Sequence, residues 1–77
     1  MSLVEPGQVF RFVSRDMDLT LLVVSLNTVF DEDRVLTTVL LIGVQRTVPR
    51  FRADLGQTTD WSFNRLDGEW NCLTRLW

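Results

Sequence analysis

Two long apolar runs constrain this chain more than any other feature. Leu19 to Leu26 is nearly all apolar, and after the polar stretch Asn27 to Arg34 comes a second run from Val35 to Val44. Both are rich in β-branched residues and of strand length, and both fall well short of the ~20 residues a membrane-spanning helix needs. Two such strands joined by a polar loop predict a β-hairpin, with the acidic cluster Asp31-Glu32-Asp33 at its tip. The near-continuous Leu19–Leu26 run predicts a strand covered on both faces. Gly43, close to the end of the other run, predicts a bulge or bend.

The remaining elements follow from local signals. Pro6-Gly7 reads as a turn into a first strand, Gln8 to Val13, and the polar residues Ser14 to Asp18 connect it to the long hairpin. Gln45 to Thr59 is less regular: Pro49 cannot donate to a sheet and Gly56 permits a turn, so a short edge strand or a helical turn is expected. Asp67-Gly68 between the alternating runs Trp61–Leu66 and Glu69–Leu73 is the signature of a two-residue type I′ hairpin. That turn would pair Arg65 with Trp70, Phe63 with Cys72 and Trp61 with Thr74, placing Trp61, Phe63, Trp70 and Cys72 on one face. The fold class expected is all-β: a small SH3-like barrel or a twisted two-layer sheet of about five strands, closed by the Asp67-Gly68 hairpin.

A chain of 77 residues has room for one domain, spanning 1–77. A domain of this size buries only about 60% of the surface its unfolded form exposes, so its stability is marginal. Cys72 is the lone cysteine, which excludes an internal disulfide and reads as a buried apolar side chain in a reducing compartment. With no signal-peptide pattern at the N-terminus, the sequence predicts a cytoplasmic protein without a membrane partner.

The side-chain inventory argues against catalysis. The chain has no His and no Tyr, which removes the commonest general base, the commonest metal ligand and a phenolic acid. One Cys without His also excludes the usual zinc sites, and no Gly-rich phosphate loop occurs. Asp31-Glu32-Asp33 lacks the spacing and turn glycine of a calcium loop, while Asp16 and Asp18 read as turn formers. The expectation is a binding module, not an enzyme, with no cofactor and no metal.

Charge bears on the partner. The net charge is -2, and Lys is absent, so every cationic side chain is an Arg. That bias fits the codons of a GC-rich bacterium or its phage. Residues 1–43 are acidic, whereas the remainder is slightly basic. Arg46, Arg50 and Arg52 with Phe51 form a basic and aromatic segment suited either to an acidic protein surface or to single-stranded nucleic acid. Flanking acids and the negative net charge oppose a polyanion. Trp61 and Trp70 are expected in the core, and Leu76-Trp77 is the preferred exposed apolar element. The partner-binding candidates are therefore Arg46, Arg50, Phe51, Arg52, Leu76 and Trp77. Another protein is the leading partner, nucleic acid is the rival, and a homodimer is weakly favoured because unpaired sheet edges invite self-association.

From Pro6 to Gly43 the chain also resembles a shortened member of the MazF/PemK family of toxin ribonucleases. Gly7-Gln8-Val9-Phe10 is similar to that family's first strand, and Leu21-Leu22-Val23-Val24-Ser25, followed by Asn27 and Phe30, to its second. Val39-Leu40-Leu41-Ile42 stands as the next strand. The resemblance implies an SH3-like barrel and a dimer. It does not imply the activity: Leu19-Thr20 stands where the family carries Arg-Pro, Gly43 where it carries a Thr, and the family's C-terminal helix is replaced by the Asp67-Gly68 hairpin.

Overall fold

A computed structural model of the chain describes residues 4–30, 34–50, 53–64 and 73–77. It contains β1 (Val9–Val13), β2 (Asp18–Phe30), β3 (Arg34–Arg46), β4 (Thr58–Asn64) and β5 (Leu73–Arg75). They form one open antiparallel sheet in the order β4-β3-β2-β1-β5. The architecture is all-β, as the residue pattern predicts. Gly7, at φ +93°, turns the chain into β1, and its N–H donates to the Val23 carbonyl at 2.8 Å. That left-handed conformation suits glycine alone among unstrained residues.

The sheet curls strongly. In a flat sheet β1 and β4 would lie about 14 Å apart, with β2 and β3 between them. Yet the Phe10 and Phe63 rings are 4.9 Å apart, and Phe12 meets Trp61 edge-on at 5.3 Å. One sheet therefore supplies both layers around the core, as in a half-open barrel. Bulges make the bend: the β2–β3 register slips at Gln45 and Ile42 of β3 towards one end and at Val24 and Asn27 of β2 towards the other, and these extra residues bend the long hairpin. Gly43 sits beside the Ile42 slip, where a bend is expected.

The core is assembled from inward residues at period two. Leu19, Leu21 and Val23 of β2 meet Val35, Val39 and Leu41 of β3, with Phe10, Phe63 and Val4 filling the space between layers. Thr37 is fully buried on the same face, and its hydroxyl donates to the Trp61 carbonyl at 2.8 Å, which satisfies the polar atom without water. Trp61 is only half-buried and packs at the margin of the core.

Several expectations are corrected. β2 runs on to Phe30 and β3 starts at Arg34, so the connection between them is shorter than Asn27 to Arg34. β2 is covered on one face, because no other element of the described chain lies over its outer side; Val24 stays 47% exposed. Among the described residues of 45–59 there is neither a separate strand nor a helical turn: β3 continues to Arg46, turns follow at 49–50 and 55–56, and β4 begins at Thr58. Trp61 pairs with Thr37, and Thr74 pairs with Arg11, so β5 adds to β1 instead of to β4. Phe63 pairs with Val35 on one edge of β4, and its expected partner Cys72 lies outside the described residues. The Asp67-Gly68 turn, Trp70, Cys72 and the acidic cluster 31–33 lie outside the described residues.

Candidate functional site

The outer face of the β5-β1-β2-β3 layer carries the feature that the core does not use. Val9 lies opposite Leu22, and Leu22 opposite Leu40. Leu76 extends the line on the other side, its N–H donating to the Val9 carbonyl at 2.7 Å. Val9, Leu22 and Leu40 alternate with buried residues and so point away from the core, and Leu76 follows Arg75, which pairs with the buried Phe10. The result is an apolar row crossing the strands: Leu76, Val9, Leu22, Leu40. Val24 and Ile42, the bulged residues, flank it on opposite sides at 47% and 43% exposure. Trp77, whose N–H also reaches the Val9 carbonyl, is 80% exposed. Scattered surface hydrophobes are ordinary, but a contiguous set ringed by polar groups marks a contact site.

Polar groups bound the row on both sides. Towards the β1–β2 turn, Arg11 grips Asp18 through two hydrogen bonds, Nε to Oδ1 at 2.9 Å and Nη2 to Oδ2 at 2.6 Å. Arg46 faces Asp18 from β3, and its guanidinium donates to the Ser14 carbonyl at 2.8 Å. The hydrogen bond from Arg11 holds the Asp18 carboxyl below its ordinary value; burial opposes this, and the charges of Arg11 and Arg46 add to it. The Arg11 guanidinium is correspondingly held above its ordinary value by that same hydrogen bond and by the Asp18 charge. Asp18 is thus a buried tie between strands and not merely a turn former. On the far side, Ser25, Asn27 and Thr38 form a hydroxyl and amide chain, with the Asn27 amide donating to Thr38 Oγ1 at 2.8 Å. Asp60 of β4 lies opposite Thr38 and is exposed.

Of the residues singled out from sequence, Leu76 falls at the end of this row and is exposed, and Trp77 next to it is exposed as well. Arg46 is exposed but spends hydrogen-bonding capacity on Ser14, and Asp18 partly offsets its charge. Arg50 is exposed in the turn after β3, while Phe51 and Arg52 lie outside the described residues. The structure does not bring the Arg segment and the Leu76-Trp77 end into one described cluster. Sequence reading missed Val9, Leu22, Val24, Leu40 and Ile42, because an all-apolar strand looks the same whether its second face is covered or bare. A signal was available: a chain of 77 residues whose pattern predicts about five strands has few residues left over to cover that face.

The described residues offer no grouping of His, Cys, Asp and Glu able to hold a metal ion. No described helix is long and apolar enough to cross a membrane. Gly43 bears on the toxin resemblance: a Cβ there would lie 2.9 Å from Thr20 Oγ1 and 3.0 Å from Thr20 Cβ. The space for a Thr at that position is already taken by the neighbouring strand.

Fold and surface together define a small antiparallel β module with an apolar row on its outer face. No protein-family model, curated protein or solved structure matches the chain.

Proposed function

We propose that this chain is a non-enzymatic interaction module of a bacterial or phage system that docks a partner protein on its outer sheet face. The carrying observation is that Val24, Ile42 and Leu76, all apolar and exposed, adjoin a single cross-strand row, with the exposed Trp77 next in sequence to Leu76. Large rigid side chains at the centre of a patch with a polar rim are the usual source of protein-binding affinity. The residue inventory supports binding over chemistry, since His and Tyr are absent from the sequence. Engagement of Arg46 with Ser14 and its proximity to Asp18 disfavour the nucleic-acid alternative.

The test compares capture of partners from bacterial lysate by the wild-type chain and by Ile42→Glu and Leu76→Glu variants of unchanged circular dichroism. Loss of a captured protein in both variants supports the reading. Capture that survives both substitutions removes this face from consideration. Salt-sensitive binding of single-stranded RNA that Arg50→Glu abolishes would replace the reading with the nucleic-acid one.

A further inference from the structure

We infer that the turn Glu5–Gln8 is a latch that holds the Leu76-Trp77 end against β1, and so sets the reach of the docking row. The latch stands on geometry alone; only its bearing on partner binding rests on the docking reading above.

The turn occurs twice. Glu5-Pro6-Gly7-Gln8 and Asp54-Leu55-Gly56-Gln57 share one pattern: an acid, a variable residue, glycine and glutamine. In each, the Gln N–H donates to the acid's carbonyl, at 3.2 and 3.0 Å, and the Gln side-chain Oε1 accepts from the acid's N–H at 2.8 Å. Each glycine lies in the left-handed region, at φ +93° and +85°, and donates its N–H to a central strand, Gly7 to Val23 and Gly56 to Leu41. Those strands donate back to the Gln carbonyls, at 2.9 Å from Val23 and 2.8 Å from Leu41. A local two-fold axis through the Leu22–Leu40 pair relates the two turns. It carries Val9 opposite Leu22 onto Thr58 opposite Leu40, and the bulges at Val24 and Asn27 onto those at Ile42 and Gln45. The chain order hides the relation, because β1 precedes its central strand whereas β4 follows its own.

The two turns differ in what lies beyond them. Val23 pins the Gln8 carbonyl, and the next carbonyl along, that of Val9, accepts from the Leu76 N–H at 2.7 Å and from the Trp77 N–H at 3.2 Å. Successive carbonyls of a strand alternate between its two edges, so fixing the Gln8 peptide against β2 aims the Val9 carbonyl at β5. Val4, buried in the core, anchors the near side of the latch. Thr58, the counterpart of Val9, begins an edge strand: among the described residues β4 pairs with β3 alone. Gln8 is therefore a positioning residue for the C-terminal end, and Gln57, in the same kind of turn, is not. Since β5 is only three residues long, the bonds from Leu76 and Trp77 to Val9 extend a short ladder and keep Leu76 at the end of the row.

Amide hydrogen exchange of the full chain, followed by NMR, tests the latch with Gln57 as an internal control. Gln8→Ala removes the Oε1 acceptor, and loss of one such hydrogen bond corresponds to about 5-fold faster exchange of the amides it holds. The expected result is that acceleration at Gly7, Val23, Leu76 and Trp77, with Gly56 and Leu41 unchanged. Gln57→Ala should accelerate Gly56 and Leu41 by a similar factor and leave Leu76 and Trp77 at their wild-type rates. Gln8→Glu, which keeps an oxygen acceptor, should restore most of the protection. Leu76 and Trp77 amides that ignore Gln8→Ala overturn the inference, as does an equal acceleration of them by Gln57→Ala, which would make both variants act through global stability. The exchange rates involve no partner. Rates as expected, together with capture that survives Ile42→Glu and Leu76→Glu, would end the docking reading alone; Leu76 and Trp77 rates that ignore Gln8→Ala, together with capture lost on both, would end this inference alone.

Discussion

Gly43→Ala should destabilise this domain, although at most strand positions the same change would stabilise it. The Gly43 backbone lies outside the left-handed region, so alanine fits it and would gain about 0.4–1 kcal/mol by restricting the unfolded chain. Against this, the new methyl would sit 2.9 Å from Thr20 Oγ1, 3.0 Å from Thr20 Cβ and 2.9 Å from Gln45 Nε2. The Gln45 amide is the end of an exposed, flexible side chain and can swing away. Thr20 cannot, because its Cβ is fixed to β2 directly opposite Gly43 in the ladder. Overpacking of this kind costs about 1–3 kcal/mol, leaving a net loss of about 1–2 kcal/mol. For a domain of this length that lowers Tm by about 5–15 °C. Thermal unfolding followed by tryptophan fluorescence at fixed protein concentration measures it, since self-association would otherwise shift Tm. In a Thr20→Gly background the clash disappears, and Gly43→Ala should become neutral or mildly stabilising. A Gly43→Ala chain that melts higher than wild type, or an equal penalty in both backgrounds, refutes the steric argument.

Other perturbations probe the core and the tie between strands. Phe63→Ala, at a side chain 2% exposed and 4.9 Å from the Phe10 ring, should cost about 3–5 kcal/mol and leave the chain largely unfolded by circular dichroism at 37 °C, whereas Phe63→Leu should stay folded. Thr37→Val keeps the volume but removes the donor to the Trp61 carbonyl, and should lower stability by about 1 kcal/mol in urea titration. Asp18 makes an acid-side prediction. Its folded pKa lies below the ordinary 3.8, so its contribution is fully present above the unfolded value and is lost as pH falls through the folded one. Stability should therefore decline below about pH 4, and Asp18→Asn should flatten that limb while lowering stability at neutral pH.

Much of the strand content was legible from residue pattern. Pro6-Gly7 marked the turn into β1, the two apolar runs marked the long hairpin, and Gly43 marked its bend. The ends of the hairpin were not, because Asn27, Thr28 and Arg34 are polar and yet pair in regular register once β2 and β3 are aligned. Nor was the partner of β5. Local alternation around Asp67-Gly68 favours pairing with β4, while the tertiary structure sets Leu73 to Arg75 beside Phe10 to Phe12, where Leu73 joins the core margin. Leu76, at the end of the candidate site, and the neighbouring Trp77 could be named as exposed from residue type, since large apolar side chains exceed what so small a core accepts. Asp18 could not be distinguished from Asp16, because only the fold brings Arg11 within hydrogen-bonding distance of one and not the other.

By itself, the sequence determined that the chain is built of β-strands, because period-two and β-branched patterns are local properties of the residues. It also determined which chemistry is unavailable, since a missing His or Tyr is missing in any fold. Only the tertiary structure decided which apolar residues are core and which are surface. Leu21 and Leu22 are neighbours of the same type, yet one is buried against Leu41 and Phe10 and the other faces outward beside Val9 and Leu40. That choice follows from the curl of the sheet, which gives every strand an inside and an outside and, among the described residues, leaves the outer side of β2 uncovered.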